Sequence, residues 1–523
     1  GFRGVGLRAT STVAGWAFAA LLVSQAGYAI LTNVLSRATD AGEPASSVQS
    51  SAMLIFMLPH SLVTVSLVTA LFTRMSRGVT QGDSTALAAD VRRGLRMWRG
   101  IPYAAAPVGE LRFRAPSAVT PWAGIRDASE FGPIAPQDRN GQFRVRTNAP
   151  MSEDCLTLNV IAPAEPGERM PVMVFVHGGA YSVGSAREIH KQGEGLVRSG
   201  GVIFVNFNYR LGALGYLDFS SFSTRSHRFD NNLGLRDQVA ALEWVRDNIA
   251  AFGGDPANVT LFGESAGGNA VTTLMTVPCA DGLFARAIAQ SAPPNAIYPS
   301  EITAGWAREY VELLSAAIDN TSTESTSPED AGQLLMAAPF DQLVAATTKM
   351  QLRAPDETPG TIALAPVIDG EFVPERPLDA FKAGRAHRVP LIIGTNDREG
   401  SLFRGRLDIL ATTPPRIRAI FAKTRKRSRK AVKAQYPGLP APRPAADFAG
   451  DYSFWYPSVK VAERHARFAP VYFYRFDIAP RLLRWAGLDA THGLELFALF
   501  DRMDGLFGRG IGAAGGRAAF KRA

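Results

Sequence analysis

At 523 residues, with 46% hydrophobic and 20% charged residues, the chain has the composition of an ordinary globular protein with room for one large α/β domain and something smaller. Its formal net charge of +9 is scattered except for the run "KTRKRSRKAVK", residues 423–433, which no nucleic-acid-binding motif accompanies and which reads as a solvated helix face or loop. Two cysteines, Cys155 and Cys279, are too few for a disulfide framework and match no metal-ligand spacing.

The chain opens on Gly1 rather than Met, so residues are expected to precede it. Between Arg8 and Arg37 nothing is charged, and "STVAGWAFAALLVSQAGYAILTNVL" is long enough to cross a ~30 Å hydrocarbon core as a helix. A second stretch without Lys, Arg, Asp or Glu covers residues 44–73, which predicts a two-helix transmembrane hairpin. A signal peptide fits less well, because the first apolar run is too long and a second follows it. Arg3 and Arg8 precede the hairpin and Arg74, Arg77, Arg92, Arg93 and Arg96 follow it, while its loop holds Arg37 with Asp40 and Glu43. The positive-inside tendency then puts both ends, and whatever follows, on the cytoplasmic side of a membrane. Without this segment the remainder is expected in the cytoplasm. His60, inside the second stretch, is an intramembrane ionisable residue and so a functional candidate.

From Trp98 onward short β-rich runs alternate with helical stretches, which predicts an α/β fold with a central, mostly parallel sheet flanked by helices. "PVMVFV", "GVIFVNFNY", "VTLF", "VPLIIG" and "PVYFYRF" read as strands, "GLRDQVAALEWVRDNIAAF" as an amphipathic helix, and "NTSTESTSPED" as a surface loop.

The strand "VTLF" runs straight into Gly263-Glu264-Ser265-Ala266-Gly267 and then a small-residue helix start. G-x-S-x-G between strand and helix is a nucleophile elbow, whose glycines permit a turn too tight for side chains and expose Ser265 at the top of the sheet. A serine hydroxyl needs a base to take its proton and a carboxylate to orient that base, in the chain order Ser, acid, His. His465 and His492 follow Ser265 with ample room for an acid between. His465 precedes the strand "PVYFYRF" and belongs at the wrong end of the sheet, whereas His492 follows it, where α/β sheets place their sites. His492 is therefore the predicted base. The loop after "VPLIIGTN" offers Asp397 and Glu399 as the acid on equal terms, with Asp369 behind both. "VFVHGGAYSVGS" supplies Gly178 and Gly179, whose N–H groups can join that of Ala266 as oxyanion donors, leaving His177 a structural part.

Two resemblances sharpen this reading. "FMLPHSLVTVSLVTALFTRMSRGVTQGDSTALAADVRRGLRM" resembles part of the lipid II flippases, MviN-like membrane proteins, of whose spans it would cover about two. Two helices cannot enclose a transport cavity. The rest resembles the type B carboxylesterases, the α/β-hydrolase family that includes cholinesterases, through "GIPYAAAPVGELRFRAP", "SEDCLTLNV", "VFVHGGAYSVGS", "NFNYRLGALGYL", "GESAGG", "GTNDREGSLF" and "THGLELF". That resemblance implies a catalytic set of Ser265, Glu399 and His492, an oxyanion hole of Gly178, Gly179 and Ala266, and supporting roles for Glu264 and Ser291. It implies no cofactor or metal. The family often pairs the cysteine of "EDC" with an earlier one, but Cys155 has no nearby partner, which fits a reducing compartment.

The expected organisation is a flippase-like transmembrane hairpin over residues 1–97 joined to an α/β-hydrolase domain over 98–523, clipped at both ends. The expected activity is hydrolysis of short- to medium-chain carboxylic esters through an acyl-enzyme. The competing readings are a non-catalytic, membrane-tethered binding module and a flippase fragment fused to an inactive esterase. The expected partners are a small ester and, through the hairpin, a membrane, with no nucleic acid; the oligomeric state stays open. Phe454, Trp455 and Tyr456 are candidates for a pocket wall or for core.

Overall fold

The computed structural model describes residues 90–92, 94–139, 148–318, 327–403 and 409–500. The hairpin predicted over residues 1–97, His60 included, lies outside them apart from its last few positions. The chain divides into two units, Gly1–Ala86 and Leu87–Ala523, and every described residue belongs to the second. Among the described residues no helix is long and apolar enough to cross a membrane.

The apolar runs assemble into a nine-stranded sheet. Its strands are β1 (Asp90–Arg92), β2 (Leu95–Pro102), β3 (Thr157–Pro163), β4 (Met170–Val176), β5 (Ile203–Phe207), β6 (Gly254–Glu264), β7 (Arg286–Gln290), β10 (Leu391–Asn396) and β11 (Val471–Phe476); β8 (Tyr298–Pro299) and β9 (Val367–Ile368) pair separately. The order is β1-β2-β3-β5-β4-β6-β7-β10-β11. β1, β2 and β3 join antiparallel, as does β3 to β5, and the six strands from β5 to β11 are parallel. Every residue of β5 is buried, as expected where helices cover both faces of a sheet, and Asn206, its one polar residue, donates to the Ala186 carbonyl at 2.8 Å.

β2 starts at Leu95, on the N-terminal side of the 97/98 join. Leu95 and Met97 point inward and pack with Phe175, Phe204, Phe262 and Phe500, while Arg96 between them is only partly buried. The alternation in "LRM" is thus a strand signal, obscured by the arginines that surround it.

The helix α1 (Leu233–Asn248) covers one face and is pinned by a buried ion pair, in which Arg210 donates to both carboxylate oxygens of Asp237 at 2.8 and 2.6 Å. Removing one partner of such a pair costs roughly 3–5 kcal/mol, because the other charge stays buried. The helix α2 (Ala266–Leu274) follows β6, and further along the chain the basic run forms α3 (Lys426–Gln435), which buries none of its residues, as expected for a solvated face. α4 (Pro442–Gly450) packs on the turn Glu399–Phe403 so closely that a Cβ on Gly400 would collide with the Ala446 carbonyl. Because the central strands are parallel, β4, β6, β10 and β11 all end on one side, and their following loops converge there.

Candidate active site

At the end of β6 the chain turns through Ser265, with φ 60° and ψ −122°, directly into α2. A positive φ is strained for any residue with a Cβ, and the surroundings enforce it. A Cβ on Gly267 would run into the Val176 carbonyl, and one on Gly263 would press on the backbone of Gly267. Ser265 N–H donates to the Gln290 carbonyl at 2.9 Å, and its own carbonyl accepts from Asn269 N–H at 2.9 Å. Strand, elbow and helix are locked by backbone contacts.

The glycine loop after β4 lies beside the elbow. A Cβ on Gly178 would come within 3.1 Å of the Ser265 Cβ, and Gly179 has φ 118°, open only to glycine. Among the described residues the N–H groups of Gly178, Gly179 and Ala266 have no acceptor inside the protein. The loop is held from behind by Gln137, whose amide donates to the Gly184 carbonyl at 3.0 Å and accepts from Gly184 N–H at 2.9 Å. His177 is structural: its ring stacks on Tyr209, Nδ1 donates to the Gly178 carbonyl at 2.9 Å, and burial depresses its pKa to about 4.

His492 Nδ1 lies 2.6 Å from Glu399 Oε2, with both side chains buried. The other oxygen of Glu399 accepts from Asn396 N–H and from Ser291 Oγ, each at 2.7 Å. Ser291 Oγ is also 3.1 Å from Glu495 Oε1, and Asn396 Nδ2 donates to Glu495. On the far side of the imidazole, Nε2 lies 3.3 Å from Glu264 Oε1 and makes no hydrogen bond. Phe454 and Phe403 pack their rings 4.7 and 5.0 Å from that of His492.

Three buried carboxylates thus surround one imidazole. Burial and the neighbouring acids Glu264 and Glu399 raise Glu495 to about 8, which favours its neutral acid form. Burial also lifts Glu264 to about 7, with His492 pulling it down and Glu399 pushing it up. For His492 burial opposes the charged form, but Glu264 and Glu399 outweigh it and bring the pKa to about 9. A single hydroxyl proton on Ser291 cannot serve two carboxylates, and a protonated Glu495 resolves this by donating to Ser291 Oγ while Ser291 donates to Glu399.

The structure therefore brings Glu399 and His492 together and leaves the other candidates elsewhere. Asp397 is exposed, 3.7 Å from Arg475. Asp369 accepts from Glu371 N–H, Val373 N–H and Asn232 Nδ2, which makes it a loop brace. His465 hydrogen-bonds the Val389 carbonyl at 2.9 Å, edge-on to Phe381. Of the three aromatic pocket candidates only Phe454 is buried; Trp455 and Tyr456 are 39% and 56% exposed. Cys155 is buried and Cys279 exposed, both as free thiols. Sequence reasoning passed over Glu495 and Asn396. The signal for the first was its place three residues after His492, at the start of a helix; for the second, its place as the last residue of β10.

A family model described as "Carboxylesterase family" matches residues 69–504, and one described as "Lipid II flippase MurJ" matches residues 1–105. The para-nitrobenzyl esterase of Bacillus subtilis (strain 168) is 38% identical over 414 residues, covering 79% of this chain and 81% of that protein. The phenmedipham hydrolase of Pseudarthrobacter oxydans is 33% identical over 447 residues, covering 83% and 85%. Among solved structures, a PNB esterase superposes with a TM-score of 0.68 at 35% identity over 80% of this chain and 84% of that one. A thermophilic PNB esterase gives 0.70 at 34% identity, over 82% and 84%.

Proposed function

The chain belongs to the carboxylesterase family and is a carboxylic ester hydrolase, and from that premise we propose that it cleaves short- to medium-chain esters through an acyl-enzyme on Ser265. The observation that carries this reading is the buried 2.6 Å contact of His492 with Glu399, on loops that converge beside the Ser265 elbow.

In the proposed cycle His492 takes the Ser265 proton as the hydroxyl attacks the ester carbonyl, then returns it to the leaving alcohol. Glu399 holds the imidazole by Nδ1 and stabilises the imidazolium. Gly178, Gly179 and Ala266 donate to the oxyanion, a contribution of about 3 kcal/mol per donor in sites of this kind. Water then repeats the sequence on the acyl group. The base must be neutral to accept a proton, and the neighbouring acids hold His492 near 9, so kcat/KM is expected to rise with pH toward that value.

We also propose that the uncharged stretches between Arg8 and Arg74 form a membrane hairpin, with the hydrolase domain, which takes in residues 90–97 of the span first read as hairpin, on the cytoplasmic side. The match to the flippase family and the arginines flanking the uncharged stretches support this.

The test is fluorophosphonate labelling of the full chain in membrane and soluble fractions, with Ser265→Ala as control. Labelling that needs Ser265 and sits in the membrane fraction is the expected result. Equal labelling of the Ser265→Ala chain would discard the nucleophile, label in the soluble fraction alone would discard the tether, and absence of any labelling would favour the non-catalytic readings.

A further inference from the structure

His492 lies in a stretch between the helices Arg481–Trp485 and Glu495–Leu499 that has little regular structure of its own. Asp489, in the middle of it, has φ 50°, a left-handed conformation that a residue with a Cβ keeps only when something holds it. Its N–H donates to the Leu483 carbonyl at 3.2 Å, and the rest of the hold comes from Arg398, the residue before the acid. Its backbone N–H donates to the Ala490 carbonyl at 3.0 Å, and it forms an isolated parallel bridge with Thr491. Its guanidinium Nη1 donates to Asp489 at 2.7 Å and to the Gly487 carbonyl at 3.1 Å. On its other side Nε and Nη2 reach one Asp447 oxygen on α4, each at 2.8 Å. Ser401 adds a smaller tie, with Oγ 2.7 Å from the Leu488 carbonyl and 2.8 Å from Thr491 Oγ1.

We propose that Arg398 is a positioning residue: its guanidinium fastens the 487–491 loop and α4 to the acid-bearing turn, so that His492 Nδ1 stays within hydrogen-bond reach of Glu399. The inference rests on the reading of Ser265, His492 and Glu399 given above and adds what holds the base in place. Glu399 is fixed by Asn396 N–H and Ser291 whether or not Arg398 is there, whereas His492 sits on a loop whose geometry is set from outside. The fork geometry of arginine is required, since one planar group serves two carboxylates and a carbonyl at once. Arg443 lies 3.5 Å from Asp489 and compensates in part, which caps the expected loss.

The experiment compares wild type, Arg398→Met, Arg398→Lys, Asp489→Asn and Ser265→Ala as full chains, with kcat, KM and fluorophosphonate labelling rates for p-nitrophenyl butyrate hydrolysis followed from pH 5.5 to 10. Losing a well-oriented base costs up to about a hundredfold, so Arg398→Met is expected to lower kcat by roughly ten- to a hundredfold, with KM within about twofold. The groups facing His492 are Glu264, Glu399 and Glu495, with Phe403 and Phe454 against its ring. Looser contact with those acids moves the acid limb of kcat/KM to lower pH. A merely structural defect lowers amplitude and leaves the limb in place. Arg398→Lys restores part of kcat, because an ammonium reaches one carboxylate and not both, and Asp489→Asn moves kcat and the limb in the same direction by less.

Unchanged kcat and an unmoved limb in Arg398→Met would overturn the proposal while Ser265→Ala remains inactive and the functional reading stands. If Arg398→Met does not fold, Asp489→Asn decides alone, and an unmoved limb there overturns it. A Ser265→Ala chain as active as wild type would remove the catalytic reading and this inference with it.

Discussion

Around Ser265 the backbone is the constraint, and around His492 the side chains are. The elbow is shaped by Gly263 and Gly267, whose missing Cβ atoms let β6, α2 and the end of β4 touch. The base and acid sit on loops far apart in sequence, joined by Ser291, Asn396, Glu495 and Arg398. A site built in these two ways should fail in two ways. Damage at the elbow should reach the fold, whereas damage around the base should reach the chemistry and leave the fold standing.

The largest expected effect of the second kind is Glu399→Gln. It keeps the shape but removes the charge that stabilises the imidazolium, and kcat is expected to fall by about 10^4, as when a catalytic triad loses its acid. Circular dichroism and apparent Tm should stay close to wild type. A variant that unfolds would show that the carboxylate serves the fold. At the elbow, Gly267→Ala sets a methyl group on the Val176 carbonyl, a clash that only backbone movement relieves. The expected cost is on the order of 4 kcal/mol, at the exceptional end of point mutations, read as poor recovery of folded chain or a much lower apparent Tm. A well-folded, inactive Gly267→Ala protein would blur the distinction between the halves.

Glu264 is the smaller and more informative case, because it stands on the elbow and acts on the base. Its carboxylate, 3.3 Å from His492 Nε2, favours the imidazolium. Glu264→Gln removes that charge, so less alkali is needed to make the base neutral, and the acid limb of kcat/KM should move to lower pH. A limb that stays in place would mean that Glu399 alone holds the imidazole charged.

The same division decides what could be read from the chain. The elbow was legible because its signal is local: strand, G-x-S-x-G and helix are contiguous in the chain, even though the atom that forbids a side chain at Gly267 is the distant Val176 carbonyl. His492 followed from chain order and from lying after a strand rather than before one. The choice between Asp397 and Glu399 is two residues wide in one loop, and the pattern of residues left it open until family resemblance separated them. The reason lies in contacts no local pattern carries: Glu399 turns toward Ser291 and His492, 108 and 93 positions away. Glu495 and Arg398 were passed over for the same reason. At the other end, the hydrolase domain was read as starting at Trp98, whereas β2 begins at Leu95: arginines hide the inward Leu95 and Met97, and only pairing with β3 makes their alternation meaningful.

Glu495 offers the finest test of the side-chain half. Burial and the nearby acids push it up to about 8 from an ordinary value of 4.5, which favours the protonated form in the folded chain over the ionised form of the unfolded one at neutral pH. Glutamine resembles the neutral acid in shape and still offers a donor to Ser291, so Glu495→Gln should leave kcat at pH 7 within about twofold of wild type, the scale of a neutral hydrogen bond kept in place. Its stability should differ in a way that depends on pH. Between about 4.5 and 8 the folded wild type binds a proton that the unfolded chain has released, so its stability falls as pH rises through that window and levels off above it. Glutamine has no such proton, and the variant should gain on wild type in apparent Tm from pH 5 to pH 8 and gain no more beyond. If the gap between the two chains stays flat across that range, Glu495 is ionised in the folded state, and a different proton must reconcile Ser291 with the two carboxylates it faces.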